Sequence, residues 1–339
     1  GQRSSGSMPK MARSMTTPLL QVKNLKMHFP VKGGLFNRAR AKNYPVDGLD
    51  LTINAGETLG LVGESGCGKS TLGRCITRLY RPTEGAIYFK GTDLAQLSSR
   101  QLLPYRQNVQ MIFQDPMESL NARHTVGELL EEPFIIHGIG NRQSRQKSVA
   151  GLLDTVGLPA RSATRYPFEF SGGQRQRIGI ARALALKPEL VICDEPVSAL
   201  DVSIQSQILN LLMDLQREFN LAYLFIAHDL AVVKHISDRV AIMYLGKISE
   251  QASSASIYEA PQHPYTRSLI SAIPNPDPHI RVQRIPLQGD VPSPISPPPG
   301  CSFHTRCPEA IKRCATALPQ LIPTGDQHWA ACHLLDAQT

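Results

Sequence analysis

Gly63-Glu64-Ser65-Gly66-Cys67-Gly68-Lys69-Ser70-Thr71 directly follows the apolar run Leu59 to Val62 and opens a stretch of helical spacing. Glycines at these positions let the backbone curl until its N–H groups converge on phosphate oxygens, and the helix that follows adds positive potential at its first turn. In that pattern Lys69 reaches the β- and γ-phosphates and Ser70 can ligate Mg²⁺, with Thr71 adding a hydrogen bond to the α-phosphate. The context of strand before and helix after is the one this phosphate-binding pattern requires.

Working outward, short apolar runs alternate with longer amphipathic stretches from Leu19 to about Glu259, which predicts an α/β domain with a substantially parallel sheet. Leu59 to Val62, Val109 to Phe113, Leu190 to Cys193, Tyr223 to Ile226 and Val240 to Tyr244 are compact enough for buried strands. Ile204 to Phe219 has the helical spacing Ile204, Ile208, Leu211, Leu212 and Leu215. The run Leu190 to Cys193 ends in Asp194 and Glu195, as expected when a buried strand delivers acids to the carboxyl edge of a sheet. Asp194 is positioned by this reading to hold Mg²⁺ and Glu195 to polarise the water that attacks a γ-phosphoryl group. Ser171, ahead of Gly172-Gly173-Gln174 and the helical run Arg175 to Leu186, is suited to cap a helix whose first N–H groups the glycines leave bare.

Together these segments resemble the nucleotide-binding domain of ABC transporters, with Ser171-Gly172-Gly173-Gln174 matching the family's signature motif. The match extends to Gln114 in the Q-loop position, Ser198-Ala199-Leu200-Asp201 in the D-loop position and His228 in the switch-histidine position; Phe170 stands where a Leu is usual. The resemblance implies a P-loop NTPase of the ABC type, a RecA-like core with an antiparallel β subdomain and a helical subdomain at about residues 115–185. It also implies a head-to-tail dimer in which each ATP lies between the phosphate loop of one subunit and the signature helix of the other. Gln114 would then bind Mg²⁺ and report occupancy to membrane subunits. His228 would contact the γ-phosphate, and Asp201 would communicate across the dimer. The adenine-stacking aromatic is Phe29 or, as a competitor, Tyr44, because the basic insertion Gly33 to Lys42 interrupts the usual spacing.

Composition shifts at Pro274 to Gly300, where nine prolines in twenty-seven residues remove backbone donors and favour an extended wrap. His263-Pro264-Tyr265-Thr266 and this run resemble the C-terminal extension of dipeptide and oligopeptide importer ATPases, most closely the dipeptide-importer type that pairs with a second, similar ATPase. Residues 261–339 are therefore read as a small Cys-rich extension to a domain spanning 19–260. Cys301, Cys307, Cys314 and Cys332 supply four thiols in this tail. The residues admit either a [4Fe–4S] cluster or Zn²⁺, the latter with His304, His328 or His333 as substitute ligands; the resemblance favours the cluster.

No stretch approaches the length of apolar sequence a membrane helix needs, so transport would require partner subunits. The expected partners are a second ATPase chain, two permeases and an extracytoplasmic solute-binding protein, with the chain peripheral on the cytoplasmic face of the membrane. The net charge of +8 is local: residues 1–46 hold nine Lys/Arg and no Asp/Glu, which reads as a solvated arm. Gly1 to Ser7 reads as an expression remnant ahead of a native start at Met8, Met11 or Met15, and residues 1–18 as a disordered arm. A soluble ABC ATPase acting on ribosomes or DNA is the rival class, supported by that basic arm alone. The domain plan opposes it, with one cassette and only 56 residues between Gln114 and Ser171, so no nucleic acid is expected. Dipeptides or oligopeptides are the expected cargo, and nickel chelates, glutathione, haem and antimicrobial peptides stay open.

Overall fold

The computed structural model describes residues 17–33, 38–115, 119–273 and 284–336. Most of the basic arm, the tip of the insertion after Phe29 and the first part of the proline-rich run lie outside the described residues.

Strand β3 (Thr58–Val62) is buried along its whole length, as are β7 (Leu190–Asp194) and β8 (Ala222–Ala227). Continuous apolar runs of this kind suit strands covered on both faces. β3 pairs in parallel with β8 and with β9 (Arg239–Tyr244), β8 with β7, and β7 with β6 (Val109–Ile112). The sheet continues past β9 through antiparallel β10 (Lys247–Ser253) to the hairpin of β11 (Ile322–Gly325) and β12 (His328–Ala330). The tail is thus stitched into the edge of the central sheet.

A second, antiparallel sheet runs in the order β2 (Arg38–Ile53), β1 (Leu20–Gly33), β4 (Glu84–Phe89) and β5 (Thr92–Asp93). The insertion after Phe29 prolongs the β1–β2 ladder, with Val31 opposite Ala41 and Gly33 opposite Arg38. The helix Lys69–Ile76 packs into the core shared by the two sheets, with Leu72, Cys75 and Ile76 fully buried. Burying a Leu or Ile side chain stabilises the fold by about 1.5–3 kcal/mol, so the phosphate-loop helix is held firmly by its apolar face.

On the opposite face a second core gathers the helices Val126–Ile136, Arg142–Thr155 and Gly172–Leu184 with Val202–Phe219 and the tail residues Tyr265 and Phe303. Their starts carry the caps that the sequence offers: Thr125 with Glu128 and Ser171 with Gln174 each form a reciprocal capping box.

The four-thiol metal site expected in the tail is corrected by the structure. Cys301, Cys307 and Cys314 lie near enough to Cys332 to act on it electrostatically. Yet among the described residues no group of three or more Cys, His, Asp or Glu side chains is arranged to hold a metal ion. Burial raises the thiols of Cys301 and Cys307 and pushes Cys332 up to about 11. The histidines proposed as substitute ligands are engaged elsewhere: His304 Nδ1 lies 2.8 Å from Cys301 O, His328 Nε2 2.6 Å from Glu250 Oε1, and His333 Nδ1 3.0 Å from Asp336 Oδ2. The tail is joined to the rest of the chain by the pairing of β12 with β10 and by the His328–Glu250 and Arg306–Glu64 contacts.

Candidate active site at the phosphate loop

Between the end of β3 and its helix the phosphate loop turns through Gly68, whose φ of +107° is reserved for a residue without a side chain. A Cβ there would fall 1.8 Å from Pro45 O. Ser65, Gly66, Gly68, Lys69, Ser70 and Thr71 line a cavity of about 540 Å³, closed by Phe29, Asn43, Pro45, Gln114, Glu195, His228 and Pro294. Gly63, Glu64 and Cys67 form the outer turn of the loop, where Cys67 is buried and Cys67 O accepts a hydrogen bond from Gly246 N at 3.0 Å.

Lys69 is only 4% exposed, and its ammonium donates to Gly63 O at 2.7 Å and Glu64 O at 3.1 Å. Among the described residues no carboxylate lies within ion-pair distance of it. Cys67 Sγ is its third contact, at 3.9 Å, and a buried cation with no carboxylate partner fits an anionic ligand, because burying charge without a counter-charge is costly.

Ser70 Oγ donates to Asp194 Oδ1 at 2.8 Å, which joins the loop to the carboxyl end of β7. Burial pushes the Asp194 carboxyl above its ordinary value, partly opposed by that hydrogen bond. A carboxylate and a hydroxyl, with the Gln114 amide in the same cavity wall and the remaining positions left to phosphate and water, suit the donor set that Mg²⁺ takes beside a nucleotide.

Glu195 follows with a φ of +46°, a strained conformation for a non-glycine residue, held by its N–H donating to Ile226 O at 3.0 Å. Its Oε2 accepts from Gln114 Nε2 at 3.3 Å and lies 3.2 Å from His228 Nδ1. Three strand ends, those of β6, β7 and β8, therefore deliver Gln114, Glu195 and His228 to one oxygen at the rim of the cavity.

Phe29 lines the cavity and meets Tyr80 edge-on with centroids 5.4 Å apart. Tyr44 instead packs its ring against His28 at 4.6 Å. Of the two aromatic candidates, Phe29 is the one at the cavity.

The signature residues lie elsewhere. Ser171 Oγ accepts from Gln174 N at 3.3 Å, and Gln174 Oε1 accepts in return from Ser171 N at 3.0 Å; neither residue lines the cavity. Gly172 and Gly173 form the first turn, and a Cβ on Gly173 would fall 2.5 Å from Ile204 Cγ2, so this helix packs close against Val202–Phe219. Asp201 caps that second helix, its Oδ1 accepting from Ile204 N at 3.0 Å and Ser203 Oγ at 2.8 Å.

Five contributors escape sequence reasoning. Asn43, Pro45 and Pro294 line the cavity, while Tyr265 and Arg306 touch the outer turn of the loop at Glu64. Pro294, Tyr265 and Arg306 are each more than two hundred positions from Glu64, and no spacing rule reaches that far.

A family model described as ABC transporter matches residues 46–198, and one described as the C-terminal region of oligopeptide/dipeptide transporters matches residues 249–314. The oligopeptide transport ATP-binding protein AppF of Bacillus subtilis is 53% identical over 319 residues, covering 93% of this chain and 97% of that protein. The chain belongs to the oligopeptide/dipeptide branch of the ABC transporter ATP-binding proteins. The putative oligopeptide transport ATP-binding protein YkfD of the same organism is also 53% identical, over 94% of this chain and 95% of its own length. Among solved structures, the dimeric post-hydrolysis state of the ATP-binding cassette MJ0796, bound to ADP and Pi, is similar with a TM-score of 0.62 and 29% identity. That likeness covers 69% of this chain and 98% of MJ0796, so it spans the cassette fold of this ABC ATPase.

Proposed function

We propose that this chain is the ATP-hydrolysing subunit of an importer that carries dipeptides or oligopeptides across the cytoplasmic membrane. The observation that carries the reading is the convergence of Gln114 and His228 on one oxygen of Glu195, beside the Ser70–Asp194 pair and the carboxylate-free Lys69. In this reading Lys69 holds the β- and γ-phosphates, and Ser70, Asp194 and Gln114 would hold a Mg²⁺ ion that would neutralise charge on them. Glu195 orients and polarises a water whose oxygen bonds to the γ-phosphorus as the bond to the ADP oxygen breaks. The water's proton passes to Glu195 and the products are ADP and phosphate. His228 steadies the γ-phosphate, and Phe29 stacks on the adenine.

Ser171, Gly172, Gly173, Gln174 and Asp201 do not line this chain's own cavity, which supports their service to a neighbour's nucleotide in a head-to-tail pair. We assign the partner as a second, similar ATPase chain. An open groove lined by Leu79, Leu103, Arg106, Phe113, Glu132 and Ile136 begins one residue from Gln114 and carries exposed Leu79 and Ile136. It is the face we assign to one of two permease subunits, with an extracytoplasmic binding protein delivering cargo. No helix among the described residues is long and apolar enough to cross a membrane, in keeping with a peripheral place on the cytoplasmic face. Residues 19–260, with the helical part at about 115–185, are read as the ATPase unit, and 261–339 as its extension.

The test is ATP hydrolysis in membrane vesicles holding the co-purified permeases. Peptide together with the binding protein raises turnover if the reading is right. Hydrolysis indifferent to peptide, and raised instead by RNA or DNA, would overturn it.

A further inference from the structure

The outer turn of the phosphate loop is gripped from the tail. Arg306 Nη1 donates to Glu64 Oε2 at 2.6 Å and Nη2 to Glu64 Oε1 at 3.1 Å, a two-pronged ion pair across 242 positions of chain. The Arg306 side chain is 5% exposed and that of Glu64 25%, so water screens the pair only weakly. Arg306 Nε donates to Gln288 O at 3.2 Å, and Nη1 also reaches Tyr244 Oη at 3.4 Å, which fixes the guanidinium before it meets the loop.

Glu64 is held on its backbone as well. Its N–H donates to Tyr265 Oη at 3.0 Å, and its carbonyl oxygen accepts from Lys69 Nζ. Tyr244 meets Tyr265 and Phe303 edge to face, and Tyr265 meets Phe303 at a tilt, with centroids 4.8–5.3 Å apart. The same tail places Pro294 in the wall of the nucleotide cavity and accepts Tyr44 N at Pro294 O, 3.1 Å away.

A phosphate loop works through the direction of its N–H groups, and an acidic side chain on it opposes an anionic ligand. Arg306 offsets the Glu64 charge with its own, and the Glu64 carboxylate it holds is not part of the cavity lining. Tyr265 occupies one loop amide and so fixes which of the remaining amides face the cavity. We propose that Arg306 and Tyr265 are positioning residues for the phosphate loop, acting through Glu64, and that docking of the tail is thereby coupled to nucleotide affinity. The proposal rests on the ATPase reading above and deepens it. By linkage, nucleotide that favours the gripped loop must in turn favour the docked tail by the same factor.

The experiment compares the full-length chain with Arg306→Met, Glu64→Gln, the double variant, and Tyr265→Phe, which removes one oxygen from a buried ring. Fluorescent ATP titration with Mg²⁺ gives affinity, steady-state hydrolysis separates KM from kcat, and hydrogen exchange follows residues 63–69 and 301–307. Arg306→Met and Tyr265→Phe are each expected to raise the ATP dissociation constant about tenfold, within the range of coupling between sites. KM should rise with kcat nearly unchanged, and the double variant should be no weaker than Arg306→Met alone. Nucleotide should slow exchange at 301–307 in the wild type and lose that effect in the variants.

Affinities within twofold of wild type for Arg306→Met and Tyr265→Phe would overturn the inference while leaving the ATPase reading intact. Strictly additive losses in the double variant would overturn it too. A wild-type chain that binds no ATP would sink the ATPase reading, and this inference with it. Should Arg306→Met fail to fold, Tyr265→Phe alone decides by the same criteria.

Discussion

Ser70 Oγ and Asp194 Oδ1 stand 2.8 Å apart, although 124 positions separate them in the chain. The contact joins a phosphate-loop hydroxyl to the end of a buried strand, and burial keeps the carboxyl of Asp194 above its ordinary value. A carboxyl raised in the folded state binds its proton more readily there than in the unfolded chain. The nucleotide-free fold therefore loses stability as pH rises through the window between the ordinary value and the raised one. Asp194→Asn should raise the thermal midpoint of the nucleotide-free protein at neutral pH. The same variant should lower Mg²⁺-dependent turnover by about two orders of magnitude or more. Scanning calorimetry and a phosphate-release assay check both halves, and a fall in the midpoint would contradict the assignment.

Glu195→Gln keeps the shape of the side chain and removes its ability to take a proton. ATP binding should stay within a few-fold of wild type, while hydrolysis falls by about 10²–10⁴, the usual share of a general base. His228→Ala is expected to reduce turnover as well. The two losses should combine less than additively, since the pair shares a 3.2 Å contact. Single-turnover kinetics on the double variant measures the shortfall.

Phe29→Ala should weaken ATP binding by about tenfold or more, since stacking of a base on an aromatic ring contributes about 1–3 kcal/mol. Phe29→Trp should recover most of it. Tyr44→Ala, whose ring packs on His28 away from the cavity, should change affinity little. Equal losses for Phe29→Ala and Tyr44→Ala would reopen the choice between them.

Glu250 is fully buried at the joint between β10 and the tail hairpin. Burial alone would raise its carboxyl, but the hydrogen bond with His328 and the N–H groups of Gln262 and His263 hold it below the ordinary value of 4.5. The resulting stabilisation is complete above that ordinary value and is lost as pH falls through the depressed one. Glu250→Gln should cost about 1.5–3 kcal/mol at neutral pH, the usual worth of hydrogen bonding to a charged acceptor, and should flatten the acid limb of the stability curve. Urea unfolding at several pH values is the measurement. An unchanged acid limb would show that this joint does not govern acid stability.

Much of the fold was legible because its elements are local. β3, β7 and β8 appear where continuous apolar runs stand, extended by one or two residues, and Ser171 caps the helix Gly172–Leu184 as its hydroxyl and following glycines require. Asp194 and Glu195 could be placed at the sheet edge from chain order alone, since a buried strand must release its carboxyl end there. The four-thiol tail misled because spacing says how far cysteines are apart in sequence, not whether their sulfur atoms converge and ionise.

Residue order and side-chain chemistry thus determined the phosphate loop, its acids and the alternation of strand with helix, because each depends on neighbours within one turn or one strand. Tertiary structure alone decided that Gln114 and His228 share one oxygen of Glu195, that Phe29 and not Tyr44 reaches the cavity, and that Arg306 and Tyr265 grip Glu64. Those are contacts between distant segments. They exist because the sheet brings three strand ends side by side and the returning tail pairs with β10, an arrangement that no local propensity encodes.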